Sequence, residues 1–540
     1  MKQSSSKGAD MKVVFRTDAS PRIGSGHLSR CLTLAMELRS RGAEVAFVAR
    51  EHVSGRYQRV TDAGLPLHLL PGPPSRPTPV EDGDYAGWLG VSVERDADET
   101  AAALDVNGCD VLVVDHYALG AEWEGRFQRN GLFVAAIDDL AEREHDANLL
   151  LDQNLRTDGG ARYQALVPRD AALLVGPHYA LLRSTYREAR AAPDASEEGR
   201  VLVMLGGAPD RTVLRTVLDS LCDTSGPIRS LDVLDPEESL QGPVDGCHRG
   251  DLPITIHREQ PELTELMARA QVAVGAGGVT AWERMCLGLP TVSMSMAANQ
   301  QAVLAELAGI DAVLHLGSAH AGAARRSGPA VAKLLGDSNR RANMARLGQL
   351  LVDGRGAERV ANALLPHASR LRLRDVHTED MGLLWLWAND TTVRGQAIET
   401  DPIPWRDHRA WFDRCLTSEH TLIFVLDADG VPIGQIRFDI QDRQATISYS
   451  LDAAVRGRGL AKELVRMGVA ELSQRRSGDV DQLVAVVRDS NQASLRVFLG
   501  LGFEECARAQ DAGELQRFLR PVGASVARSD ALHGGDSDAR

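Results

Sequence analysis

The sequence predicts an α/β protein with two successive Rossmann-like units followed by a smaller α+β domain. Three observations carry this expectation. From residue 11 to about 365, short apolar runs alternate with amphipathic helical patterns, as in parallel sheets with helical crossovers. In that region a strand, a glycine turn and a helix follow one another near the start, and the pattern restarts at Val201-Leu-Val-Met-Leu205 with Gly206-Gly207. After Leu371 the character changes to hairpins, one of them turning at Asp429-Gly430.

The first unit opens with Arg16-Thr-Asp18-Ala-Ser20-Pro-Arg-Ile-Gly24-Ser-Gly26-His27-Leu-Ser-Arg30. Val13-Val14-Phe15 before it reads as a buried strand. Leu28, Cys31, Leu32, Ala35 and Leu38 after it have helical spacing, and Gly42 stops the helix behind Arg39 and Arg41. Gly24 and Gly26 allow unusual backbone angles and close approach of a ligand. The first helical turn carries unpaired N–H groups and suits an anion. His27 stands at that start, where the positive dipole end favours a neutral imidazole able to accept a proton. A histidine there is also an ordinary structural residue; the glycine loop beside it favours the functional reading.

Runs at 44–49, 110–115 and 132–137 extend the sheet, and the proline-rich stretch 71–79 is a loop. Ligands of such sheets bind beyond the carboxyl ends of the strands. Asp115, Asp138 and Asp139 therefore share a rim with His27, as acid/base groups or as plain helix caps.

Residues 191–199 read as a linker. The second unit contains Val272-Ala-Val-Gly275-Ala-Gly277-Gly278-Val-Thr280-Ala-Trp282-Glu283, again a strand, a turn and a helix start. The N–H groups at Gly277, Gly278 and Thr280 suit a diphosphate. Glu283 suits ribose hydroxyls, or is simply an acidic first-turn residue. Asn299-Gln300 follows the strand at 291–296, and helical patterns over 319–365 close the unit.

In the third domain, strands are expected at 371–375, 421–426, 432–438, 446–451 and 483–487. Arg456-Gly457-Arg458-Gly459-Leu460-Ala461 opens an amphipathic helix, and its N–H groups suit a pyrophosphate.

Composition narrows the function classes. With 44% hydrophobic and 25% charged residues, the chain is an ordinary globular one. A net charge of −14 argues against nucleic acid or an anionic membrane as main partner. The seven cysteines lack metal-ligand spacing, so reduced thiols, no disulfide framework and no metal are expected. No apolar run is long enough for a signal peptide or a membrane span, which leads to a cytoplasmic expectation. The expected division is a disordered extension at 1–10, domains at 11–190, 199–366 and 370–522, and a disordered tail at 523–540. Nothing in the sequence speaks to oligomeric state.

Two resemblances add to this. Arg-x-Asp-x-Ser-x-x-Ile-Gly-x-Gly-His-x-x-Arg-Cys-Leu at the start resembles the opening of the UDP-sugar hydrolases of pseudaminic acid biosynthesis. So do Leu151-Asp-Gln-Asn154 and Leu174-Val-Gly-Pro-His-Tyr-Ala-Leu-Leu-Arg183. Ala276-Gly-Gly-x-Thr280-x-x-Glu283, with Leu287-Gly-Leu-Pro290 after it, resembles UDP-sugar enzymes of the two-domain glycosyltransferase B fold. The resemblance implies that fold arrangement for the two Rossmann-like domains, and His27 as catalytic base. It implies Asp18, Gly24, Gly26, Arg183, Gly277, Gly278, Thr280, Glu283, Asn299 and Gln300 as substrate or UDP contacts.

The third domain resembles the GCN5-related N-acetyltransferases through the loop at 456–461, Asn491-x-x-Ser494 and Gly500-Leu-Gly502-Phe503. This implies acetyl-CoA as co-substrate, bound by Arg456, Gly457, Arg458, Gly459, Leu460, Ala461, Asn491 and Ser494. One departure stands out. Phe498 occupies a position where that family often has a tyrosine, the proposed proton donor to the leaving thiolate. Tyr449 and His408 are candidates for the base that acts on the amine.

Together the resemblances imply a bifunctional enzyme. It acetylates the 4-amino group of UDP-4-amino-4,6-dideoxy-β-L-AltNAc, then hydrolyses the UDP-2,4-diacetamido-2,4,6-trideoxy-β-L-altropyranose product. Two other readings stay open: a glycosyltransferase with an accessory acetyltransferase, and a non-catalytic nucleotide-sugar-binding module.

Overall fold

The first seven strands are β1 (Lys12–Thr17), β2 (Glu44–Arg50), β3 (Leu67–Leu70), β4 (Val111–Asp115), β5 (Phe133–Ile137), β6 (Leu149–Asp152) and β7 (Ala172–Val175). They form one sheet in the order β3-β2-β1-β4-β5-β6-β7, parallel throughout. The structure is a computed structural model and describes residues 11–20, 23–52, 57–73, 85–192, 195–206, 210–235, 252–258, 263–365, 370–506 and 514–522. The expected extensions at 1–10 and 523–540 and most of the proline-rich loop lie outside these residues.

Strand β4 is buried along its whole length. A central parallel strand is covered by helices on both faces, which is why its sequence runs apolar without alternation. Val14, Leu112, Val114, Trp123, Phe127 and Val134 pack together on one side of the sheet. The strand order reverses between β1 and β4, so a crevice for ligands is expected at their carboxyl ends. The helix Gly26–Ser40 begins at that crevice and ends before Gly42, whose φ of +93° needs a glycine.

The second sheet contains β8 (Arg200–Met204), β9 (Ser230–Leu234), β10 (Ile254–His257), β11 (Val272–Ala276), β12 (Thr291–Ser295) and β13 (Leu314–Ser318). Its order is β10-β9-β8-β11-β12-β13, again all parallel. The same reversal falls between β8 and β11. Val203, Leu214, Leu218, Val274 and Val292 form its core.

The chain then returns to the first sheet. The helix Gly356–Leu364 packs on the helix Gly26–Ser40. It starts against the backbone of Tyr179 and Ala180, so close that a Cβ at residue 356 would overlap both. Arg359, buried, donates to the His178 carbonyl at 2.8 Å and to Asp353. Arg187 pairs with Glu358 across the same junction. Tyr179 is buried here and packs the junction.

Residues 370–377 and 392–540 form a second compact unit, while 378–391 cluster with the N-terminal one. The helix Met381–Asn389 lies on the helix Ser338–Leu351, with Gly382 against the Leu350 backbone. The second unit holds β14 (Leu371–Asp375), β15 (Thr421–Ala428), β16 (Val431–Gln441), β17 (Gln444–Leu451), β18 (Gln482–Arg488), β19 (Glu504–Glu505) and β20 (Leu515–Pro521). The order is β14-β15-β16-β17-β18-β20-β19. Asp429 and Gly430 both have positive φ, as a tight primed hairpin turn requires. Only β17 and β18 pair in parallel. Their ladder ends at Ile447 and Ala485, and beyond it the two strands continue unpaired with each other.

One expectation is corrected. Cys222, on the buried face of the helix Arg211–Asp223, is disulfide-bonded, to a partner outside the described residues. Spacing rules read neighbours along the chain, whereas a disulfide joins residues that the fold brings together. No helix among the described residues is long and apolar enough to cross a membrane.

The loop after β5 is pinned by a buried ionic cluster. His145 Nδ1 lies 2.7 Å from Glu124 Oε1, and its Nε2 lies 3.8 Å from Asp138 Oδ2. Burial alone would lower the imidazole pKa, but Asp138 and Glu124 raise it to about 9. A raised basic group stabilises the fold fully below its unfolded pKa of about 6.5, and this contribution is lost as pH rises through about 9. Chemical denaturation should therefore show stability falling by up to about 3 kcal/mol across that window. His145→Gln should flatten the profile; an unchanged slope in that variant would refute the assignment.

Candidate functional site

At the carboxyl end of β1 the chain makes a tight turn. The Gly24 N–H donates to the Ser20 carbonyl at 2.8 Å, and Gly24 sits at φ +79°. Both Gly24 and Gly26 are exposed, with open space where a Cβ would stand. His27 follows in the first turn of the helix. Its Nδ1 lies 2.6 Å from Asp115 Oδ1 at the end of β4. A carboxylate can only accept, so Nδ1 carries the proton and Nε2 keeps a lone pair. Among the described residues Nε2 has no hydrogen-bond partner.

Arg30, one turn on, fixes the same carboxylate from the other side. Its Nε donates to Asp115 Oδ2 at 2.6 Å and its Nη2 to Oδ1 at 2.7 Å, while Nη1 reaches Asp139 at 3.1 Å. Burial alone would lift the Asp115 pKa; Arg30 and His27 hold it well below the usual carboxylate range. Asp115 is thus ionised and stationary, and it orients the imidazole. The Tyr117 ring packs edge-on to His27 at 4.6 Å, with Trp88 at 6.4 Å and Tyr85 against both aromatic rings. These rings make an apolar wall beside the base. A tethered imidazole with a free nitrogen can take a proton from water.

Asp18 is corrected. It is fully buried, and its oxygens are held by Arg16 at 2.5 Å, by the Arg50 N–H at 2.7 Å and by His52 at 3.3 Å. Arg16 and Arg50 are bound in turn by Asp96. Burial would raise the Asp18 pKa, but Arg16 and the two histidines, His52 and His116, hold it low. Asp18 therefore ties the ends of β1 and β2 together. Asp138 likewise accepts from the Ala141 N–H and from Arg143, as a turn residue. Burial lifts Asp152 to about 6, and Gln153 accepts from the Leu181 N–H.

In the second sheet, Gly278 caps the helix Val279–Leu287 at φ +84°. The Gly277 N–H donates to Gln300 Oε1 at 3.2 Å, and the Met296 N–H donates to the same oxygen at 3.0 Å. Two turns thus converge on one acceptor. Gly277 was expected to offer its N–H to a diphosphate; here Gln300 takes that donor, because its side chain folds back over the turn. Gly278 and Asn299 are exposed. Glu283 is half-buried, and its Oε2 is shut from water with no partner. Burial raises its pKa, while Tyr186 and Arg183 act the other way. Arg183 lies over the Tyr186 ring at 5.6 Å.

In the C-terminal unit, Gly457 and Gly459 sit at φ +78° and +77° before the helix Leu460–Arg475, with open space beside each. Asn491 Oδ1 accepts from the Ser494 N–H at 3.1 Å and caps the helix Gln492–Leu499. The Ser494 hydroxyl meets the Tyr449 hydroxyl at 2.9 Å. The Tyr449 ring packs edge-on against buried Phe498 at 5.9 Å. Tyr449 thus stands where β17 has parted from β18. His408 is buried against Trp411 and Phe412, which gives it a core role and removes it as a base.

Sequence reasoning missed Arg30, Tyr117, Trp88 and Tyr186. The first was readable, three residues after His27 on the same helical face. The aromatic residues come from separate, short elements and leave no periodic signal.

Residues 370–504 match the acetyltransferase (GNAT) domain family. Over 210 residues the chain is 24% identical to the spore coat polysaccharide biosynthesis protein SpsG of Bacillus subtilis, covering 38% of this chain and 62% of that one. Over 186 residues it is 28% identical to the UDP-2,4-diacetamido-2,4,6-trideoxy-beta-L-altropyranose hydrolase of Campylobacter jejuni, covering 33% and 55%. The chain thus spans little more than half the length of these relatives. Among solved structures, MurG of Acinetobacter baumannii aligns over 65% of this chain and 98% of its own, at 13% identity and a TM-score of 0.45. The chain therefore carries a C-terminal GNAT acetyltransferase domain, behind an N-terminal region of parallel α/β sheets with weak homology to a UDP-sugar hydrolase.

Proposed function

We propose that the N-terminal unit releases UDP from a UDP-diacetamido sugar by water attack, and that the C-terminal unit supplies that substrate by acetylating an amino group. The observation that carries the hydrolytic half is the His27–Asp115 pair, with Nε2 unengaged. In the step, His27 Nε2 takes a proton from water as its oxygen bonds to the anomeric carbon. The bond to the UDP oxygen breaks, and its electron pair leaves with UDP. UDP is a good leaving group, so a base without a strong acid suffices, and direct displacement inverts the anomeric centre.

The glycine turn after β11 is the UDP site in this reading. Gly278, Thr280, Asn299 and Gln300 face the diphosphate and sugar, Glu283 holds the ribose, and Arg183 with the loop at Gly24 and Gly26 completes the pocket. The place of Glu283 in the helix that follows the glycine turn, beside Arg183 and Tyr186, supports this. The Campylobacter relative, a hydrolase of a UDP-2,4-diacetamido sugar, supports the choice of sugar.

In the C-terminal unit the family match supports acetyl-CoA as co-substrate. The backbone at 456–461 presents consecutive N–H groups to its pyrophosphate. The amine of a UDP-4-amino sugar attacks the thioester carbonyl, the C–S bond breaks, and the sulfur leaves with the electron pair. A thiolate leaves readily, so Phe498 need not abolish the reaction.

Three outcomes test this. His27→Ala should lower kcat for UDP release by roughly 100- to 10,000-fold, with UDP binding retained; near-normal kcat would remove His27 as base. Glu283→Ala should weaken UDP binding by about 1.5–3 kcal/mol in calorimetry; unchanged affinity in a folded variant would remove the ribose contact. Gly459→Val, crowding the loop at a left-handed position, should abolish acetyl transfer yet leave UDP release from an already diacetylated substrate. Chromatography reads both products, and loss of both activities would refute two separable sites. UDP release without any added acceptor separates hydrolysis from glycosyl transfer.

A further inference from the structure

Glu283 and Arg284 are neighbours on one helix, and adjacent helical positions point about 100° apart. Glu283 faces Tyr186 and Arg183. Arg284 points elsewhere, beneath the glycine turn, and is 1% exposed. Its Nη2 donates to the Ala276 carbonyl at 2.5 Å and its Nη1 to Thr280 Oγ1 at 3.3 Å. Its Nε has no partner, and among the described residues no carboxylate stands within ion-pair distance. Gly275 makes the room: a Cβ there would lie 2.5 Å from Arg284 Cζ.

Three physical consequences follow from this placement. A trans peptide sets its C=O and N–H on opposite sides. With the Ala276 carbonyl held inward by Arg284, the Gly277 N–H points outward, where it meets Gln300. A hydroxyl that accepts from Arg284 keeps its own hydrogen for another acceptor, so Thr280 becomes an outward donor. Burial lowers the guanidinium pKa to about 10, which still leaves it charged at neutral pH. Glu283, beyond ion-pair distance, offsets part of the cost of burying this charge, and an anion arriving at the turn offsets more.

We propose that Arg284 is the built-in counter-charge for a diphosphate at the turn from Gly277 to Thr280, and that it orients the Thr280 hydroxyl toward that group. The inference rests on reading this turn as the UDP site. Arg284 touches no ligand atom; it is a positioning residue whose charge makes the turn prefer a nucleoside diphosphate to the bare nucleoside.

The test measures UDP affinity by calorimetry and uridine affinity by ligand-detected NMR, on the full chain. Arg284→Gln keeps a hydrogen-bonding side chain without charge. It should lose about ten- to a hundredfold in UDP affinity, the worth of one charge-assisted interaction, with uridine binding unchanged. Arg284→Lys keeps the charge and should retain most of the preference. If the glutamine variant, with wild-type thermal stability, kept the UDP-to-uridine ratio, the proposal would be overturned. Equal loss for both ligands would also overturn it, by revealing a merely structural role. If the glutamine variant failed to fold, the lysine variant would decide: loss of the preference there, despite its charge, overturns the proposal. Wild-type protein that bound UDP no better than uridine would overturn the nucleotide reading itself, a separate failure.

Discussion

One buried carboxylate, Asp115, organises the N-terminal half. It ends β4, stands in register with Thr17 at the end of β1, and receives His27, both ends of the Arg30 guanidinium and the Cys31 thiol. Three groups from one helix therefore converge on one strand end. Removing a member of a buried ionic set typically costs about 3–5 kcal/mol, because the remaining charge is stranded. The helix cannot rotate or slide without breaking this set. The imidazole is consequently held as firmly as the sheet itself.

The chain uses one local device repeatedly: a strand, a glycine turn and a helix start. The devices differ in what stands behind the turn. Behind Gly24 and Gly26 lies the Asp115 carboxylate, which orients the His27 imidazole. Behind Gly277 and Gly278 lies a guanidinium, which favours an anion. Before the helix Leu460–Arg475, two left-handed glycines leave only backbone donors in the open. Backbone geometry is shared, and the buried charge beneath it decides the chemistry.

The architecture was largely legible because its signals are local. Strand β4 reads as an apolar run, the hairpin turn as Asp-Gly, and the helix stop as Gly42. The site was legible only where a motif is contiguous, as with Gly24, Gly26 and His27. Asp18 belongs to the same motif, yet it turns inward to Arg16. Sequence spacing could not show this, because the partner that captures it is chosen by the sheet. Asn491 is similar: a cap and a ligand contact use the same residue type at the same place. The disulfide at Cys222 and the wall of Tyr85, Trp88 and Tyr117 depend on long-range proximity, which no spacing encodes.

The path of the chain at the boundary has a further bearing. Strand β14 belongs to the C-terminal unit, but the chain then goes back for residues 378–391 before leaving for good. The helix Met381–Asn389 buries Met381, Leu384, Trp385 and Trp387. A cut at residue 370 would strip this helix from the unit it packs on and leave that unit's apolar surface bare. The boundary between the two units is thus no single point in the sequence, because the chain crosses it at 369/370, again at 377/378 and last at 391/392.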